Sequence, residues 1–263
     1  MSDAPLDLAL KARLATIRLG RPHRHYVSVG STQAEAAAWA EDGAPTGALV
    51  TADHQRTGRG RLGRTWADEP GRDLALSLVL RPALRPERLG LLPLSAGVAV
   101  ADALAQHTSG VTLKWPNDVR IGGKKAAGIL AETRWRTCGS GSQSPTVLLG
   151  IGVNVNRQAF PSEIADRATS LALARGAEHD RAALLADLLL SLEHVRGLTP
   201  EALVARAEAI LDALGEHIED GFPGTDRPPL AGAVLGIAGD GALRLSTAQG
   251  DVRVHAGETT IRV

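Results

Sequence analysis

Residues 74–80, L-A-L-S-L-V-L, place a leucine at every second position, which is the rhythm of a β-strand. Shorter apolar runs at 26–29, 47–53, 111–115 and 119–121, and longer ones at 125–135 and 146–155, extend the strand set. Between them the period changes. Val98, Ala101, Leu104 and Ala105 are spaced for a helix over 94–107, with Pro93 near its start, where proline is tolerated. Thr32, followed three residues later by Glu35, forms a capping-box pattern for a helix over 33–41. Asp180 is placed to cap a helix over 181–195, and Thr199-Pro200 opens another that runs to Gly215. Gly122-Gly123 is a hairpin signal between two strands. Residues 1–25 read as a short helix and a docking arm. Strands and helices do not alternate regularly, so the expected class is α+β with a mixed sheet.

From Gly221 the texture changes. Residues 222–229 are rich in proline and glycine and read as a linker. Short strands follow at 231–237, 242–247, 251–255 and 260–263, the first two joined at Gly239-Asp240-Gly241. The expected division is a main domain over 1–221 and a small β-barrel or meander over 222–263. A unit of that size is marginal alone and should lean on the main domain.

Composition narrows the classes. The chain is 44% hydrophobic but only 3% aromatic, and its 29 basic residues equal its 29 acidic ones. Bulk charge therefore recruits neither nucleic acid nor membrane. The lone Cys138 excludes an intramolecular disulfide framework, and its glycine- and serine-rich surroundings argue against a metal cluster. The first residues lack a secretory signal pattern, and no uncharged apolar run reaches membrane-spanning length, so a cytoplasmic protein is expected.

Basicity is instead local. Residues 54–66, H-Q-R-T-G-R-G-R-L-G-R-T-W, hold four arginines (Arg56, Arg59, Arg61, Arg64), three glycines and no acid. Glycine permits close backbone approach to a ligand, and guanidinium forks match phosphate or carboxylate oxygens. A loop so built is mobile by itself and ordered by an anion. A solvated loop, a nucleotide grip and a nucleic-acid contact all fit it, although it is neither a Walker A sequence nor a Rossmann fingerprint. Trp66 either stacks on a base or anchors the loop in the core. The turn Lys114-Trp115-Pro116-Asn117-Asp118 is too polar for a plain hairpin tip, though a structural Asx-turn also fits it. Lys125 enters an apolar strand as an edge gatekeeper or an anion ligand. The glycines of G-I-G-V-N-V-N at 150–156 suggest close approach of a backbone or ligand, with Asn154 equally readable as a core amide.

The order of these pieces resembles the biotin–protein ligases. The likeness rests on Ser31-Thr32, on Gln55 followed by G-R-G-R-L-G-R-T-W, on K-W-P-N-D at 114–118, on Lys125 with Ala127-Gly128-Ile129-Leu130, and on the glycine–asparagine strand. The C-terminal stretch also looks like that family's SH3-like domain. Family members that double as repressors carry an N-terminal winged helix-turn-helix, so the likeness is to the monofunctional class. The resemblance implies a catalytic domain like that of class II aminoacyl-tRNA synthetases and biotin–lipoate ligases. It also implies a two-step reaction: biotin and ATP give biotinyl-5′-AMP, and a lysine of a biotin carboxyl carrier domain of acetyl-CoA or acyl-CoA carboxylase takes the biotinyl group.

By the same resemblance Lys125, Arg61 and Asp118 are the catalytic candidates, with Lys125 bridging carboxylate and α-phosphate and Asp118 orienting or accepting a proton from the acceptor lysine. Ser31, Thr32, Gln55, Gly58, Arg59 and Lys125 are the biotin contacts. Arg61, Arg64, Trp66, Asn117 and Asn154 are the nucleotide contacts. Mg²⁺ would be shared with the phosphates, and no protein metal ligands are nominated. Leu62 departs from the pattern, since many members carry a basic residue there. The expected state is a monomer or weak dimer that binds neither DNA nor membrane. A lipoate–protein ligase or octanoyltransferase of the same fold is the alternative enzyme, and a nucleic-acid-binding module using the basic loop is the alternative outside enzymes.

Overall fold

A computed structural model of the chain describes residues 6–83, 85–137, 143–220 and 230–255. The helices are α1 (Leu6–Arg13), α2 (Thr32–Glu41), α3 (Leu91–Ala105), α4 (Leu171–Arg175), α5 (Arg181–Val195) and α6 (Pro200–Glu208). The strands of the main sheet are β1 (His23–Tyr26), β2 (Leu49–Ala52), β3 (Leu74–Leu80), β4 (Val111–Lys114), β5 (Asp118–Ile121), β6 (Lys124–Thr137) and β7 (Gln143–Val153). They lie in the order β1-β2-β3-β7-β6-β5-β4, with β1 parallel to β2 and every other pair antiparallel. A four-stranded antiparallel sheet is added by β8 (His217–Asp220), β9 (Leu230–Ile237), β10 (Leu243–Thr247) and β11 (Gly250–Val254). The α+β class and the small C-terminal sheet expected from the sequence are both present.

The main sheet is covered on both faces, which is why β3 is buried at all seven positions. Alternate side chains point to opposite faces. Leu49, Leu78, Leu80 and Leu149 join the large core with α1, α3 and α5, whereas Val50, Val79 and Leu148 pack under α2 with Ala36, Ala37 and Ala40. The segment Pro86–Ala105 is long and apolar enough to cross a bilayer, but 72% of its most apolar 18-residue window is buried inside this fold. It is the central core helix. On the α2 face the covering helix is short, so the middle of β3, β7 and β6 is left for other groups to cover.

Several expectations shift. Thr32 and Glu35 form no capping box: the Thr32 hydroxyl bonds Gln55, Glu35 bonds the Tyr26 hydroxyl, and the N-cap Ser31 makes no side-chain cap bond. The helix begun at Pro200 stops at Glu208, where Leu113 N–H donates to the carbonyl of Ile210 and Asp212 N–H to that of Leu113. The first strand lies three residues earlier than its apolar run, because His23 and His25 share a bond to the Thr51 hydroxyl on β2. The small sheet takes its first strand from His217–Asp220, upstream of the expected border. The 222–229 linker, the 260–263 strand and Cys138 lie outside the described residues.

Candidate active site

The basic loop is a closed turn. Trp66 N–H bonds the Gly58 carbonyl at 3.0 Å, Gly60 N–H bonds the Arg64 carbonyl at 2.7 Å, and Arg59 bridges Thr65 antiparallel between them. At the tip Leu62 and Gly63 both take positive φ, 58° and 70°. A side chain at residue 58 would put its Cβ 2.3 Å from the Trp66 carbonyl oxygen, so this crossing admits only glycine. Both legs are tethered. Gln55 N–H donates to Asp68 at 2.9 Å, Arg157 donates to the Ala67 carbonyl at 3.1 Å, and Thr57 N–H donates to the Gly30 carbonyl at 2.8 Å. The loop's own backbone thus closes it into a hydrogen-bonded turn. Arg56 bonds Ser28 and lines neither cavity described below, whereas Arg59, Arg61 and Arg64 line the cleft beneath the loop.

Two cavities meet at the loop. The outer is an open cleft of about 1230 Å³, walled by residues 59–64, Trp115, Asn117, the exposed length of β6, and Asp240, Gly241, Ala242 and His255 of the small sheet. The inner is a slot of about 60 Å³ on the α2 face, lined by Ser31, Thr32, Gln55, Ser77, Trp66, Lys125 and the glycines of β6 and β7. Arg59, Gly60, Arg61, Asn117, Ile129 and Leu130 line both.

The slot exists because side chains are missing. Gly128 and Gly152 are register partners on β6 and β7, and the Trp66 indole lies across them. A Cβ at residue 152 would fall 2.3 Å from the indole, and one at 128 would fall 2.9 Å from it. Trp66, expected at the nucleotide, lines the inner slot and not the outer cleft, because this glycine floor is flat enough to receive its ring. Its Nε1 is buried without a partner, and so is the Ser31 hydroxyl. Two unsatisfied polar groups facing one slot fit a polar ligand there.

Lys125 reaches the slot through a β-bulge. On β5 and β6, Val119 pairs with Ala127 but Arg120 pairs with Lys125, so Ala126 is the extra residue. The phase change places Lys125 on the side of Gly128 and Trp66. Its Nζ lies 2.7 Å from Asp118 Oδ1 and 5.5 Å from the centre of the Trp66 ring. Its backbone is held by the segment that follows residue 166: Lys125 N–H donates to the Arg167 carbonyl at 2.8 Å, and Thr169 N–H donates to the Lys125 carbonyl at 2.9 Å. Asn154 fixes that segment through a 2.9 Å bond from its amide to the Thr169 carbonyl. Buried and committed in this way, Asn154 lines neither cavity, as the core-amide reading expects.

Across the mouth, Arg61 donates to Asn117 Oδ1 at 3.0 Å, while Asn117 Nδ2 donates to the Ile129 carbonyl. Asn117 thereby fastens the loop to β6. The structure brings together Ser31, Thr32, Gln55, Gly58, Arg59, Arg61, Trp66, Asn117, Asp118 and Lys125, and adds Arg64 in the outer cleft alone. Sequence reading missed Gln33 and Ser77, whose only signal was a polar residue inside an apolar run. It also missed Trp115, whose Nε1 bonds the Gly241 carbonyl at 3.0 Å and ties the small sheet to the cleft.

Among the described residues no group of three or more His, Cys, Asp or Glu side chains could hold a metal.

Residues 27–154 match the biotin/lipoate A/B protein ligase family. The bifunctional ligase/repressor BirA of Bacillus spizizenii is 35% identical over 98% of this chain and 78% of its own length. The biotin–[acetyl-CoA-carboxylase] ligase of Mycobacterium tuberculosis is 36% identical over 87% of this chain and 85% of its own. Among solved structures, the biotin protein ligase from Aquifex aeolicus in complex with biotin and ATP superposes with a TM-score of 0.75 at 30% identity, covering 90% of this chain and 97% of that one.

Proposed function

The chain belongs to the biotin/lipoate protein ligase family, and from that premise we propose that it is a biotin–[acetyl-CoA-carboxylase] ligase. It uses ATP to convert biotin to biotinyl-5′-AMP and transfers the biotinyl group to one lysine of a biotin carboxyl carrier domain. The observation that carries this reading is the position of Lys125. It stands where a small polar-ended slot opens beneath an arginine-lined cleft, so its ammonium can face groups held in both.

The assignment of parts follows from chemistry. A ureido ring needs donors and acceptors at the closed end of an apolar slot, and Ser31, Thr32, Gln55 and the Gly58–Arg59 backbone supply them. At 60 Å³ the slot is smaller than a usual ligand cavity, so Trp66 must lift from the glycine floor as biotin enters. Adenylation then joins two anions. A carboxylate oxygen attacks the α-phosphorus and pyrophosphate leaves, so cations must suppress the repulsion and stabilise charge on the phosphoryl oxygens. Lys125 and Arg61 take this role, with Arg59 and Arg64 serving the polyphosphate. Mg²⁺ bound with the nucleotide would supply positive charge that offsets the phosphates.

When Lys125 turns to the substrates it releases Asp118, whose carboxylate is then free to receive a proton from the incoming carrier lysine. The loop and Trp66 cover the mixed anhydride from water until the carrier arrives. We assign the small C-terminal sheet to an SH3-like unit that completes the outer cleft.

Mass spectrometry of a carrier domain incubated with the protein, biotin and MgATP tests the reading directly. One biotinyl group on one lysine is the expected product. Transfer of a lipoyl or octanoyl group instead would move the assignment to the sister enzymes.

A further inference from the structure

The closed end of the slot holds a chain of buried hydrogen bonds whose direction is fixed at both ends by backbone groups. At one end Gln33 Nε2 donates to the Leu148 carbonyl at 2.9 Å, which leaves Gln33 Oε1 facing inward as an acceptor. The Ser77 hydroxyl donates to that oxygen at 2.9 Å. At the other end the Thr32 backbone N–H donates to Gln55 Oε1 at 2.9 Å, which fixes the carboxamide of Gln55. Between them Thr32 Oγ1 lies 3.0 Å from Gln55 Oε1 and 3.0 Å from Ser77 Oγ. A hydroxyl has one proton. The Ser77 proton is committed to Gln33, and both partners within reach of the Thr32 proton are acceptors inside the protein.

We infer that Gln33 and Ser77 are specificity residues of the ring site: through this chain they hold Ser77 Oγ and Thr32 Oγ1 as acceptor-only oxygens, so that the closed end of the slot selects a ring N–H. Gln33 acts as a positioning residue and Ser77 as part of the wall. The pair of acceptors, the Gln55 Nε2 donor turned toward Gly58, and the unpartnered Ser31 hydroxyl together offer the complement of a cyclic urea. All four polar side chains of the chain are nine-tenths or more buried, so the arrangement is not set by solvent. Room for it is built in as well. A Cβ at residue 150 would lie 2.7 Å from Gln33 Oε1, and only glycine lets that amide reach Ser77. The inference rests on the biotin-ligase reading above, and it names the feature of the ring that is read.

The test compares biotin with its two carbamate analogues, in which one or the other ring N–H is replaced by oxygen. Biotin-dependent ATP–pyrophosphate exchange is followed for the wild type, Gln33→Met and Ser77→Ala. An oxygen placed against two acceptors loses a hydrogen bond and adds repulsion, so the wild type should reject at least one analogue by about tenfold to a hundredfold in kcat/KM. Gln33→Met frees the Ser77 proton and Ser77→Ala removes one acceptor, so both should lower that discrimination by about tenfold. Equal weakening of biotin and analogue, with the ratio intact, would overturn the proposal by assigning the pair a purely structural role. A wild type that accepts both analogues as well as biotin would also overturn it. No biotin-dependent exchange in the wild type would overturn the ligase reading itself, and the proposal with it.

Discussion

Lys125 faces the inner slot because β6 carries one residue more than β5 can pair, and Asp118 meets it there at 2.7 Å. That contact gives Asp118 two candidate tasks, and one substitution separates them. The carrier lysine has an ordinary pKa near ~10.4 and must lose a proton before it can attack the acyl group. If Asp118 takes that proton, Asp118→Asn should leave biotin-dependent ATP–pyrophosphate exchange within about threefold and slow transfer to the carrier by about a hundredfold or more. Equal loss in both half-reactions would mean that Asp118 serves only to hold Lys125. The residue types were legible in K-W-P-N-D and in Lys125, since each is a charge where an apolar strand or plain turn would carry none. Their contact was not legible, because it depends on the bulge at Ala126, and a run such as K-A-A-G does not mark which residue is left unpaired. Asn154 shows the reverse case. Its place in a glycine–asparagine motif suggested a ligand, but its amide is taken by the segment that holds the Lys125 backbone.

The glycines of β6 and β7 act as one element. Alternation along the strands was readable, and so was the need for something to approach closely at residues 150 and 152. What approaches could not be read, since the indole of Trp66 comes from a loop some 80 residues upstream and Gln33 comes from α2. Gly152→Ala is the sharp test of this floor. Residue 152 has ordinary strand geometry, so alanine fits the backbone, but its Cβ would lie 2.3 Å from the Trp66 ring. The indole must lift, and the methyl then occupies the ring's place. Biotin affinity measured by calorimetry should fall at least about tenfold, tryptophan emission should move to the red, and the far-UV circular dichroism should stay unchanged. Unaltered affinity would show that the floor carries Trp66 without shaping the ligand site. The same logic explains the misjudged capping box. Thr32 and Glu35 have the right spacing, but tertiary partners, Gln55 and Tyr26, take their side chains.

At the scale of the molecule, two units share one cleft: the Trp115 indole bonds the Gly241 carbonyl, and Asp240, Gly241 and His255 line the wall opposite the loop. The small sheet read from the sequence as an appendix, because nothing local in G-D-G-A-L-R-L announces a distant cleft. Two largely buried groups, Asp73 and His23, contribute to the pH dependence of stability with opposite sign. Burial, with Asp68 nearby, raises Asp73 to about 6, against the backbone N–H groups of Glu69 and Val155 and the charge of Arg157. A carboxyl raised above its unfolded value near 3.8 binds more protons in the native state. Its contribution is therefore complete below about pH 4 and is lost as pH rises through about 6, by about 3 kcal/mol at most. Burial, and then the neighbouring His25, lowers His23 to about 4, so the native state there binds fewer protons than the unfolded chain. That contribution is present above the unfolded value of 6.5 and is lost as pH falls through about 4. The two slopes oppose each other between about pH 4 and 6, so the wild type should show a shallow profile in urea unfolding. Asp73→Asn loses native bonds at every pH, yet its deficit against the wild type should shrink by up to about 3 kcal/mol from pH 4 to pH 7, because only the wild type then has to bury a charge. His23→Gln should shift the difference the other way, losing ground to the wild type as pH rises. A deficit for Asp73→Asn that stays constant across this range would mean that the Asp73 carboxyl ionises at its ordinary pH, held there by the two N–H groups and by Arg157.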